Sequence, residues 1–125
     1  MKITISDNRR IHAIQKDFSK MFPFLKIEFF SRRHQEGGGS PKKLMKQPGK
    51  TLGECRTLHN SGTINITPVM TVAELEKNFS SLYGLSTQVF RKSGKVWLET
   101  TVTDSWTLEE QNMQGEALSK GEVKV

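Results

Sequence analysis

Residues 3 to 24 repeat at an offset of 61 without a gap, and this repeat limits the possible folds more than any other feature of the chain. Ile3 meets Ile64 and Ile5 meets Ile66; Lys16, Phe18 and Ser19 meet Lys77, Phe79 and Ser80. The apolar stripe matches as well: Ile11, Ile14, Met21, Phe22 and Phe24 stand against Val72, Leu75, Leu82, Tyr83 and Leu85. Helical periodicity alone forces part of such a match between two amphipathic units. The ungapped length and the matched aromatics point to an internal duplication, with pseudo-repeats over about 2–30 and 63–91.

Each repeat reads as strand, helix, strand. Residues 2–6 alternate apolar and polar, as a half-buried strand does, and Asp7 and Asn8 can end it and cap a helix. The stripe Ile11, Ile14, Phe18, Met21, Phe22 predicts that helix over 9–22, stopped by Pro23. Residues 25–29 alternate again. In the second half, residues 63–67 alternate up to Pro68, and Thr71-Val72-Ala73-Glu74 is a capping box. The stripe Val72, Leu75, Phe79, Leu82, Tyr83 comes next, with Gly84 as its stop. Residues 86–91 and 95–103 flank Lys92-Ser93-Gly94 as a hairpin. Two further capping boxes, Thr51 with Glu54 and Thr107 with Glu110, open short helices to about Leu58 and Leu118. The tail 119–125 has little to bury and is expected to fray.

The expected class is therefore α+β, a single domain over 1–118. Its order is β-α-β-β-α-β, followed by an extra C-terminal hairpin strand and a short terminal helix. That order with matched halves resembles the ferredoxin-like fold. The resemblance implies one antiparallel sheet in the order 4-1-3-2, a fifth strand beside the fourth, and both helices on one face. Ile3, Ile5, Ile64 and Ile66 would face the helices; Thr4, Ser6, Asn65 and Thr67 would face away.

The run Phe90-Arg91-Lys92-Ser93-Gly94-Lys95-Val96-Trp97-Leu98-Glu99-Thr100-Thr101, with Asp104, Trp106, Thr107, Leu108 and Glu109, resembles a family of small uncharacterised bacterial proteins. Residues 22–30, Phe-Pro-Phe-Leu-Lys-Ile-Glu-Phe-Phe, add to the likeness. Together these cover under half of the chain. The resemblance implies a stand-alone bacterial protein and carries no activity with it.

The net charge of +6 is concentrated in one place. Residues 31–50 hold Arg32, Arg33, Lys42, Lys43, Lys46 and Lys50 against the single acid Glu36, which leaves the remainder of the chain nearly neutral. Gly37-Gly38-Gly39-Ser40-Pro41 within it reads as a flexible loop. Six cations on such a loop could neutralise several phosphates, which makes nucleic acid or an acidic protein the expected partner. A solvated loop with no partner has the same composition. The single cysteine, Cys55, excludes an internal disulfide and suits a reducing compartment. No apolar run follows Lys2, and no stretch approaches the roughly 20 apolar residues that span a bilayer. A cytoplasmic location without membrane contact is the expectation.

Other sites weigh less. Phe30 and Trp97 could mark an interaction surface on the open sheet face, serving a protein partner or a homodimer. Against that stands the expectation that the terminal helix folds over the sheet and buries both Trp97 and Trp106, with Trp106 acting as a hydrophobic staple. Thr4, Ser6, Asn65 and Thr67 do not form the aromatic platform of RNA-binding sheets. Arg9 and Arg10 beside a helix start, with Asn65 on the third strand, resemble the anion site of acylphosphatases, although Ser6-Asp7-Asn8 replaces that family's Gly-rich cradle. Cys55 and His59 at i, i+4 could share a face as nucleophile and base or as zinc ligands; a structural cysteine beside a surface histidine is the simpler reading. Glu74, Glu76, Glu109 and Glu110 suit helix starts. The expectation is a binding module with no catalytic residue, metal or cofactor.

Overall fold

The computed structural model describes residues 1–30, 47–56 and 58–120. It is α+β, with strands β1 (Lys2–Ile5), β2 (Leu25–Phe30), β3 (Gly62–Asn65), β4 (Ser86–Ser93) and β5 (Val96–Glu99). The helices are α1 (Ile11–Met21), α2 (Val72–Tyr83) and α3 (Leu108–Ser119), and a 3-10 turn spans Leu52–Glu54. The strands form two antiparallel sheets, β1-β3 and β2-β4-β5. This differs from the 4-1-3-2 order. The β1-β3 neighbours are as expected, and β5 lies beside β4, but β2 pairs with β4 instead of β3.

Alternation decides which faces are buried. Ile3, Ile5, Ile64 and Ile66 are buried, while Lys2, Thr4, Thr63 and Asn65 are exposed. In the larger sheet Leu25, Ile27, Phe29 and Val89 point into the same core. Helix α1 packs on β2 and α2 packs on β4, so both stripes cover one sheet. Ile11, Ile14 and Phe18 from α1 and Val72, Leu75 and Phe79 from α2 are fully enclosed. Phe79 meets Phe29 edge to face at 5.7 Å and 86°. Leu82, placed by its spacing in the stripe, is 48% exposed.

The ladders keep the 61-residue offset. Ile3 pairs with its own counterpart Ile64, and the pairs Lys2 with Asn65 and Thr4 with Thr63 exchange under the offset. In the larger sheet Leu25 with Arg91 exchanges with Phe30 with Ser86, and Ile27 with Val89 exchanges with Glu28 with Gln88.

The helix starts also recur, with the α1 and α2 positions 61 apart and the segments that dock on them 56 apart. Asp7 and Asn8 are the expected cap of α1, yet its N-cap is Arg10, with no side-chain bond. A distant backbone segment takes that role: Ile11 N–H donates to the Lys50 carbonyl (2.9 Å) and His12 N–H to that of Pro48 (3.0 Å). In return Leu52 and Gly53 donate to the carbonyls of Arg9 and Asp7, at 2.8 and 2.9 Å. At α2, Val72 donates to Trp106 (3.1 Å) and Ala73 to Asp104 (2.9 Å), while Leu108 and Glu109 donate to Met70 (2.8 Å) and Pro68 (3.0 Å). Arg10 bridges Thr51 as Thr71 bridges Thr107. Helix-start amides have no intrahelical acceptor, and here another stretch of chain supplies one. All three capping boxes form, at Thr51 with Glu54, Thr71 with Glu74 and Thr107 with Glu110.

Candidate interaction surface

The β4-β5 hairpin turns through Gly94, whose φ is 64°, and no other residue type among the described residues has positive φ. A two-residue turn with positive φ only at its first position is the type that wants glycine there. Ser93 and Val96 flank this turn and Leu98 pairs with Arg91. Beyond them Thr100 N–H and its hydroxyl both donate to the Val89 carbonyl, at 3.3 and 2.9 Å. Residues 96, 98 and 100 thus direct their backbone groups toward β4. Alternation sends the N–H and C=O groups of Trp97 and Glu99 outward, along the free edge of the sheet.

That edge is apolar. All four β5 residues are exposed, with Val96 at 55%, Leu98 at 40% and Trp97 at 37%. The reason is the position of α3, which packs on β4 and β2. Gly115 lets it approach: a Cβ there would lie 2.9 Å from Phe24 Cβ and 3.2 Å from Arg91 Cγ. Asn112 accepts from Phe24 N–H (2.8 Å), and buried Gln111 accepts from Arg91 and donates to the Thr103 carbonyl and hydroxyl. The helix is held over β4, and β5 extends past it. The expected burial of Trp97 and Trp106 therefore does not occur. Trp106 is 36% exposed, with the Arg91 guanidinium 5.6 Å from its ring centroid.

Trp97 stands on the other sheet face, opposite Lys92. There Lys26 Nζ lies 5.1 Å from the Trp97 ring centroid and 5.4 Å from that of Phe90, and it also pairs with Glu28 at 3.2 Å. Such cation–π contacts restrain the indole while leaving one side accessible. Phe30, the other residue expected on this surface, is buried at 3% and offers no contact area.

The other sequence-derived sites are scattered. Arg32, Arg33, Lys42, Lys43 and Lys46 lie outside the described residues; Lys50 is exposed. Arg9 donates to the Thr4 carbonyl and to Asp17, Arg10 to the Gly49 carbonyl, and Asn65 sits opposite Lys2. The two arginines turn to separate acceptors. Cys55 is buried, with its Sγ 3.2 Å from the Thr51 carbonyl, and His59 Nδ1 lies 2.8 Å from Asp7 Oδ2. Among the described residues no group of three or more His, Cys, Asp or Glu side chains is placed to hold a metal. No helix among them is long and apolar enough to cross a membrane.

Sequence reasoning missed two charged groups. Arg56 has a fully buried side chain that donates twice to Asp7 Oδ1 (3.1 and 2.9 Å) and once to the Tyr83 carbonyl (3.1 Å). Desolvation pushes Asp7 up, but the hydrogen bonds from Arg56 and His59 and their charges outweigh it and hold the carboxyl below its ordinary value. Neither sequence neighbourhood announces this pair.

Glu76 on α2 is the second: expected among the helix-start acids, it turns inward to β4 instead. It accepts the Val89 N–H at 2.9 Å, at the height where β5 has left the sheet. Burial pushes its pKa up from 4.5 to about 7, the Val89 bond opposes this, and Asp104 adds to it. A raised carboxyl contributes stability that is fully present below the unfolded value and lost as pH rises through the folded one. Between pH 4.5 and about 7 this group should therefore weaken the fold as pH rises. Glu76→Gln keeps an acceptor for Val89 and cannot ionise. Urea titrations should show the variant gaining on the natural protein by about 1–3 kcal/mol across that window. A difference that stays flat with pH would refute the assignment.

Compared with family models, curated proteins and solved structures, the chain matches none.

Proposed function

We propose that this chain is a non-enzymatic binding module whose working surface is the outer edge of the β4-β5 hairpin, where it takes a protein partner. The observation that carries the reading is β5 itself: an edge strand with Val96, Trp97 and Leu98 all exposed. Edge strands are usually short, charged or covered because unpaired N–H and C=O groups recruit other strands. This one is short, yet apolar on both faces. Strand addition draws affinity from main-chain bonds and selectivity from alternate side chains. The test places a photo-crosslinking phenylalanine analogue at position 97 and, as control, at Val69, which is 72% exposed on a loop. Adducts in cells should form at 97 well above the yield at 69. Equal yields would remove the reading.

A second reading rests on the charge of residues 31–50. Arg32, Arg33, Lys42, Lys43, Lys46 and Lys50 would contact the phosphates of a nucleic acid or another anionic partner. Binding by phosphate neutralisation must weaken steeply with salt. Filter binding to mixed DNA and RNA that is absent even at low salt would dispose of it.

Internal duplication accompanies either reading. Its support is the exchange of ladder pairs under one offset and the recurrence of the helix-start bonds. Under that pattern the turn carrying Thr51 is the counterpart of the start of α3.

A further inference from the structure

We propose that the partner at the β5 edge is a second copy of this chain, joined antiparallel about a dyad at Trp97, so that two three-stranded sheets become one. This rests on reading that edge as a protein-binding surface. The argument is the chemical self-complementarity of Lys95-Val96-Trp97-Leu98-Glu99. With the dyad on Trp97, Lys95 faces Glu99 of the second copy, Val96 faces its Leu98, and the two indoles meet at the centre. The outward N–H and C=O of each Trp97 would then bond those of the other, and those of Glu99 would meet the backbone of Lys95 at the turn.

Other registers fail. A dyad on Val96 or Leu98 would need backbone groups already directed at Ser93 and Arg91. A dyad on Glu99 sets two carboxylates face to face, and one on Lys95 sets two ammoniums together at the hairpin turn. Like charges directly opposite destabilise a strand pair. A shift of one residue also moves every side chain to the wrong face. Only the Trp97 register joins indole to indole and acid to base on one face and Val96 to Leu98 on the other.

A four-residue edge is short, so the expected dimer is weak, with a Kd of about micromolar order. Sedimentation of the full chain should show monomer giving way to dimer as concentration rises from about micromolar to about millimolar. Lys95→Glu and Glu99→Lys each turn two attractive pairs of the dyad into repulsive ones. Each should weaken the dimer by about tenfold, and the two together should restore it. Both residues are exposed, and matching circular dichroism spectra check that the variants fold. A dimer indifferent to the single changes, or one the double change does not restore, overturns the Trp97 register. A chain monomeric throughout overturns self-pairing. If crosslinks to other proteins still form at position 97, the broader reading of the edge survives; if they do not, that reading falls as well.

Discussion

Phe79→Ala should cost about 3–5 kcal/mol of folding stability, and Phe18→Ala a comparable amount. Both rings are essentially without solvent exposure, and both are among the largest enclosed side chains. Phe79 adds an edge-to-face contact with Phe29, the kind of pair that contributes about 1 kcal/mol beyond area. Phe18 meets Phe22 at 5.5 Å with the rings inclined at 51°. Each truncation removes most of a ring from a tightly packed interior and leaves a cavity that the two sheets cannot fill by collapse. The two positions are counterparts under the 61-residue offset, so equal losses are expected if α1 and α2 are equivalent layers. Equilibrium urea unfolding measures both. A loss at either site below about 1 kcal/mol would mean that the helix concerned is not part of the cooperative unit.

Arg56→Ala comes next in size, at about 2–4 kcal/mol. The wild-type guanidinium is wholly buried and makes three hydrogen bonds, two to Asp7 and one to the last carbonyl of α2. Removal loses those bonds, opens a void and leaves the Tyr83 carbonyl without its donor. Water can reach Asp7, whose side chain is 45% exposed, and this keeps the cost below that of a fully enclosed pair. Arg56→Lys should recover only part of the loss, because an ammonium cannot make the two-nitrogen contact with Asp7 and reach Tyr83 together. The lysine variant unfolding at the same urea concentration as the alanine variant would show that the cavity, not the charge geometry, accounts for the effect.

Local pattern carried most of the secondary structure. Alternation marked the strands, spacing of three and four marked α1 and α2, and two Thr-x-x-Glu boxes marked the starts of α2 and α3, while the third, at Thr51, opens only the 3-10 turn Leu52–Glu54 and not a helix to Leu58. Pairing was not legible in the same way. Whether β2 lies beside β3 or β4 depends on how two faces stack, and an alternating strand is compatible with either neighbour. The position of Arg56 was hidden for a related reason: its acid, Asp7, is distant in sequence. Phe30 and Leu82 show the limits of a stripe. Phe30 follows Phe29 at the end of β2 and is buried although its face is the opposite one, while Leu82 near the end of α2 is half exposed. The β5 surface was half visible. Trp97 stood out as an aromatic on the outer face, but exposure of Val96 and Leu98 required knowing that α3 stops over β4.

The carbonyls of Pro48 and Lys50 complete the first turn of α1, and those of Asp104 and Trp106 complete that of α2. Neither helix can finish its hydrogen bonding until a remote stretch of backbone has arrived. Helix nucleation is costly when made locally, and here it is tied to closure of long loops. The molecule should consequently fold at a speed governed by these non-local meetings, with each helix start and its docking strap forming in a single event.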